Sequence, residues 1–162
     1  MANVIEIHNL TNNDIMYRNF EGIETDKNQA GKRNFVVRLT LEQANDLQNA
    51  GFYVKMSKPD KDGNQYPTIR VNVGMEGKWP PEFEIYTNKG RIYYGEDDIK
   101  ALDRATIVGA DIWCNSYMKA GGDHYTLWLK KFSGAIKDNN NAEKYMKMLQ
   151  DYGDEVDDDL PF

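Results

Sequence analysis

From Ile107 to Phe132 the sequence alternates side chains over two long runs hinged on Ala120-Gly121-Gly122-Asp123. A period of two over such lengths suits strands rather than a helix, and adjacent glycines supply the positive φ that a tight hairpin turn requires. With Gly121 and Gly122 as the central turn residues, Ala120 pairs with Asp123 and the register of both strands follows. Trp113 then lies across from Lys130, Asn115 from Trp128 and Tyr117 from Thr126, all on one face. The opposite face pairs Cys114 with Leu129, Ser116 with Leu127 and Met118 with Tyr125, and ends at Ile112. That second face is a serviceable core, so the rest of the chain must supply further sheet to cover it.

The remaining sequence offers such pieces. Val4 to Ile7, Ile15 to Gly22, Asn34 to Leu39, Phe52 to Lys58 and Tyr66 to Val73 read as extended runs, separated by turn-forming stretches such as Pro59-Asp-Lys-Asp-Gly-Asn64. Phe83 to Tyr86 and Arg91 to Tyr94 form a hairpin across Thr87-Asn-Lys-Gly90, after a rigid bend at Trp79-Pro80-Pro81. Thr40 and Gln43 make a capping box for a helix that Gly51 ends, and Glu96 to Ala105 predicts a second short helix. Many short strands, one or two short helices and no βαβ alternation predict an all-β barrel or sandwich.

Two features mark a candidate binding surface. The hairpin face holding Trp113, Asn115, Tyr117, Trp128 and Lys130 is a poor core but a good platform for unpaired bases, because aromatic planes stack on any base and an ammonium meets phosphate. Residues 27–70 carry a surplus of positive charge that includes Lys32, Arg33, Arg38, Lys55 and Arg70, and alternation in the last strand turns Arg70 away from Ile69, Val71 and Val73. The net charge of −6 does not oppose this reading. Residues 151–162 hold six acids and no base, and without them the chain balances at 20 acids against 20 bases.

Other classes are poorly supported. His8 and His124 are the only histidines, Cys114 is alone, and no P-loop, dinucleotide fingerprint or GxSxG occurs, so neither enzyme activity nor a metal or cofactor is expected. A carboxylate-metal nuclease built on acids such as Glu96, Asp97 and Asp98 is the enzyme alternative, although that trio suits the first turn of a helix. An RNA-binding barrel is the alternative within the binding class, since stacking and phosphate contact do not read the sugar. An acidic DNA mimic would spread its acids over the whole chain. A lone cysteine, no membrane-length apolar run and no leader pattern at the start give an expectation of a soluble cytoplasmic protein without membrane contact.

The terminal Asp157-Asp158-Asp159-Leu160-Pro161-Phe162 closely resembles the acidic tip of bacterial and phage single-stranded DNA-binding proteins. Asn19-Phe20-Glu21-Gly22, Gly31-Lys32-Arg33-Asn34-Phe35 and Leu127-Trp128-Leu129-Lys130 are similar to phage-encoded members with an OB fold. The resemblance implies an OB-like single-stranded DNA-binding domain over residues 1–138, a short helix or linker at 139–150, and a disordered acidic protein-interaction tail at 151–162. In the bacterial family a long Gly-, Pro- or Gln-rich linker precedes the tip, whereas Asn141 to Gln150 here reads as helical. The implied function is to coat and protect single-stranded DNA in host cytoplasm during phage replication or recombination, with replication or recombination proteins recruited by the tip. The sequence leaves open whether the chain forms a homo-oligomer.

Overall fold

The computed structural model describes residues 4–26 and 28–137. The short helix or linker expected at 139–150 and the acidic tail at 151–162, with its tip Asp157 to Phe162, lie outside the described residues. Strands β1 (Ile5–Leu10), β2 (Ile15–Asn19) and β3 (Arg33–Arg38) precede helix α1 (Leu41–Asn49). Then come β4 (Lys55–Met56), β5 (Pro67–Val73), β6 (Glu82–Thr87), β7 (Gly90–Tyr94), β8 (Thr106–Tyr117) and β9 (Thr126–Lys137). Two 3₁₀ turns, Asn12–Asp14 and Ile99–Asp103, complete the set. The second replaces the short helix expected from Glu96 to Ala105. Among the described residues no helix is long and apolar enough to cross a membrane.

The β-rich expectation is met by one mixed sheet. Its main path runs β1-β8-β9-β5-β3-β2, with β4 on β5 and the β6–β7 hairpin on β9. Among the described residues its end strands β1 and β2 do not pair, so the sheet stays open where a barrel would close. Both β5 and β6 run parallel to β9, on the edge that β8 leaves free: β5 takes Leu127 and Trp128, and β6 takes Lys131 to Ala135.

The hairpin register holds where it was legible, with Asn115 opposite Trp128, Tyr117 opposite Thr126, Cys114 opposite Leu129 and Ser116 opposite Leu127. Two details differ. A bulge adds one residue to β9 between Cys114/Leu129 and Trp113/Lys131, so Trp113 faces Lys131 and Lys130 is the extra, unpaired residue. The turn is also looser. Gly122 N–H donates to the Lys119 carbonyl at 2.8 Å and Gly121 takes φ +79°, which makes Ala120 and Gly121 the central residues. Tyr125 does not pair with Met118 because its N–H donates to the Gly51 carbonyl at 2.9 Å and it bridges Phe52 instead.

On the covered side of the sheet, Phe35 and Val37 of β3, Ile69, Val71 and Val73 of β5, Phe83 and Ile85 of β6, Ile112 and Cys114 of β8 and Leu127, Leu129 and Phe132 of β9 form one core. Thr40 caps α1 as expected: its hydroxyl accepts from Gln43 N–H at 3.1 Å, and the Gln43 side chain accepts from Thr40 N–H at 2.9 Å.

Candidate nucleic-acid interface

The uncovered side of the same sheet collects most of the residues singled out in the sequence. Because side chains alternate across a strand, the row opposite the core can be followed from register alone. Asn34 of β3 pairs with Asn72 of β5, Asn72 with Trp128 of β9, and Trp128 with Asn115 of β8. Four polar or aromatic side chains therefore line up over four strands, about 15 Å at the usual strand spacing. Beside them run Val36 opposite Arg70 and Arg38 opposite Thr68 on β3–β5, and Thr126 opposite Tyr117 on β9–β8.

Over the β3–β5 part of this face lies an open groove of about 1290 Å³. Asn34, Val36, Thr68, Arg70, Asn72 and Thr126 form its floor, and Tyr17, Ile23, Tyr53, Lys55, His124 and Tyr125 are among its walls. Arg70 is exposed, and among the described residues no carboxylate pairs with it. Lys55 is likewise free of an acid partner among the described residues. Arg38 is exposed, with its guanidinium 4.2 Å from the centroid of the Tyr66 ring. Lys32 is exposed in the loop entering β3, where its backbone is held by Gln29 and Asn28. Lys130, the bulge residue, is exposed at the far side of Trp128.

Arg33 lies elsewhere. Alternation puts it in the row of Phe35 and Val37, on the core side, where its side chain is 15% exposed and its Nη1 donates to Glu96 Oε1 at 3.2 Å. Its Nε is buried and has no hydrogen-bond partner among the described residues. This cation balances Glu96 and does not share the floor with Arg70.

Trp113 is on the outer face but already engaged. Its Nε1–H donates to Glu6 at 3.0 Å, the His8 ring meets it edge-on at 5.6 Å, and the Lys131 ammonium lies 5.4 Å from its ring centroid. Glu6 and Asp111 flank His8 at 3.0 and 3.2 Å and raise its pKa above the ordinary 6.5, the Glu6 hydrogen bond being the largest cause. The protonated form is thus favoured by folding, and the stabilisation is present below 6.5 and is lost as pH rises through the folded value. An NMR titration is expected to give a His8 midpoint above 6.5 that falls in Glu6→Gln; an unchanged midpoint in the variant would remove Glu6 as the cause.

Sequence reading missed Tyr17 and Tyr53. Tyr17 sits at φ 49°, in the left-handed region that costs a residue with a side chain about 1–3 kcal/mol, and is 74% exposed on the groove wall. Its neighbour explains the geometry. The Arg18 guanidinium donates to the carbonyls of Ile15, Leu102, Ala105 and Asn12 and to the Asn12 side chain, pinning β2 where its register slips between Met16 and Asn19. Burial lowers the Arg18 pKa, and its donors are used up inside the protein. No local pattern announces a left-handed tyrosine; the exposed Tyr53, 5.5 Å from the His124 ring, lies in a loop where the sequence predicts strand.

A search of curated proteins finds no match to this chain. A family profile described as "Putative phage ssDNA-binding domain" matches residues 2–160. An open aromatic and basic sheet face and a match over nearly the whole chain agree, and the chain belongs to this family of phage single-stranded DNA-binding domains.

Proposed function

We propose that the protein coats single-stranded DNA by laying it along the groove and across the outer sheet face, protecting the strand during phage replication or recombination in the host cytoplasm. The observation that carries this reading is the row Asn34, Asn72, Trp128 and Asn115 beside the exposed Arg70. Bases stack on Trp128 and Tyr117, the asparagines offer donors and acceptors to base edges, and Arg70, Lys55, Arg38, Lys32 and Lys130 take phosphates. Trp113 and Lys131 extend the same face. The cycle is binding and release, without chemistry.

Titration of the tryptophan fluorescence with oligo-dT, oligo-U and duplex DNA at two salt concentrations tests it. Strong quenching by oligo-dT, weak response to duplex and steep loss with salt are expected. No response to any strand would end the reading, and an equal or stronger response to oligo-U would favour RNA.

The tip Asp157, Asp158, Asp159, Leu160, Pro161 and Phe162 is proposed to recruit replication or recombination proteins, its ring entering an apolar pocket and its carboxylates meeting Arg or backbone N–H groups. An acidic segment tethered to a basic groove acts at an effective concentration of about a millimolar. Deleting residues 151–162 is therefore expected to tighten oligo-dT binding at low salt, and an unchanged Kd would reject competition between tail and DNA.

A further inference from the structure

The connection from β5 to β6, residues 74–81, crosses a special place in the sheet. β5 ends beside Trp128 and β6 begins beside Lys131, so the connection spans the point on β9 where Lys130 bulges out. Its two ends are anchored. Gly74 lies so close to the Trp128 ring that a Cβ there would sit 3.2 Å from it, Met75 packs on the core, and Pro81 is buried. The tip between them is not. Trp79 is 84% exposed, and the Lys78 ammonium lies 5.8 Å from its ring centroid.

An indole in water forgoes the burial that makes tryptophan useful in a fold. Pro80 and Pro81 have fixed φ, and a residue before proline is biased toward extended backbone, which narrows the backbone conformations open to Trp79. An exposed aromatic beside an ammonium, on a connection that starts against the Trp128 ring, has the composition of one more stacking position. We infer that Trp79 is a binding residue for single-stranded DNA, stacking on a base beyond Trp128 while Lys78 meets the adjoining phosphate. This extends the proposed path around the β9 bulge and rests on the reading of the outer face as the DNA surface.

The test uses the full chain and fluorescently labelled oligo-dT, with anisotropy as the readout. Trp79→Ala is expected to weaken binding roughly 5- to 100-fold, and Trp79→Phe, which keeps a ring, to stay within about threefold. Because the side chain is exposed, neither change should move Tm, which is measured alongside. A second readout uses Trp113→Phe with Trp128→Phe, leaving Trp79 as the reporter; its emission is expected to be quenched at saturating oligo-dT. Wild-type affinity in Trp79→Ala, or an unquenched Trp79 at saturation, would overturn the inference while leaving the outer face as the DNA surface. Failure of the wild-type chain to bind oligo-dT would instead bring down the larger reading.

Discussion

Phe20→Ala is expected to lower the free energy of unfolding by about 3–5 kcal/mol, a large share of the roughly 5–15 kcal/mol that holds a domain together. Phe20 belongs to no strand, yet it is fully buried, with Phe35, Phe83 and Phe132 at ring-centroid distances of 5.1, 5.9 and 6.3 Å. Those three rings stand on β3, β6 and β9, so one residue after β2 joins strands from both branches of the sheet. Its backbone is fixed as well: the Asp103 carboxylate accepts from Phe20 N–H at 2.7 Å and from Glu21 N–H at 3.1 Å. Strands tied by ladder hydrogen bonds cannot close in on the space left by a missing ring, which places the cost toward the upper end of the range. Urea unfolding should show a lower midpoint with an unchanged slope, and Phe20→Leu, which keeps most of the volume, should cost less. A loss below about 1 kcal/mol would mean that the site collapses or that this cluster is not central.

What could be foreseen from the sequence divides along physical lines. Alternation in Tyr66 to Val73 turned Arg70 outward, and the two runs flanking Gly121 set most of the β8–β9 register, because both depend on a local period. The capping box of α1 is likewise local. The bulge at Lys130 is not: nothing near it in sequence reveals that β9 must serve β5 along one part of its edge and β6 along another. The ion pair of Arg33 is hidden from the sequence for a related reason. Arg33 stands among basic residues in the sequence, but its partner Glu96 is 63 positions away, and only the fold brings the two together. The open sheet is a property of which strands meet, and composition is silent on that. Tyr17 and Tyr53 reach the groove through a left-handed backbone and a loop, neither of which has a periodic signature.

The same geometry separates two contributions to DNA binding that ordinarily move together. Arg70→Ala removes an exposed cation of the groove floor that has no carboxylate partner among the described residues. If it donates to a phosphate, the loss is about 1.5–3 kcal/mol at low salt, the usual worth of a hydrogen bond to a charged group. The slope of log K against log salt should also become shallower by about 0.7, the value of one released counterion on a single strand. If a base stacks on Trp128, Trp128→Ala costs about 1–3 kcal/mol and leaves the slope unchanged. Arg33→Ala is the control, since its charge is committed to Glu96: it should reduce stability and leave the slope alone. Equilibrium titrations with oligo-dT at four salt concentrations would decide the assignment. If Arg70→Ala weakens binding without changing the slope, Arg70 shapes the groove and the phosphates lie elsewhere; if Arg33→Ala changes it, the ion pair with Glu96 opens when DNA binds.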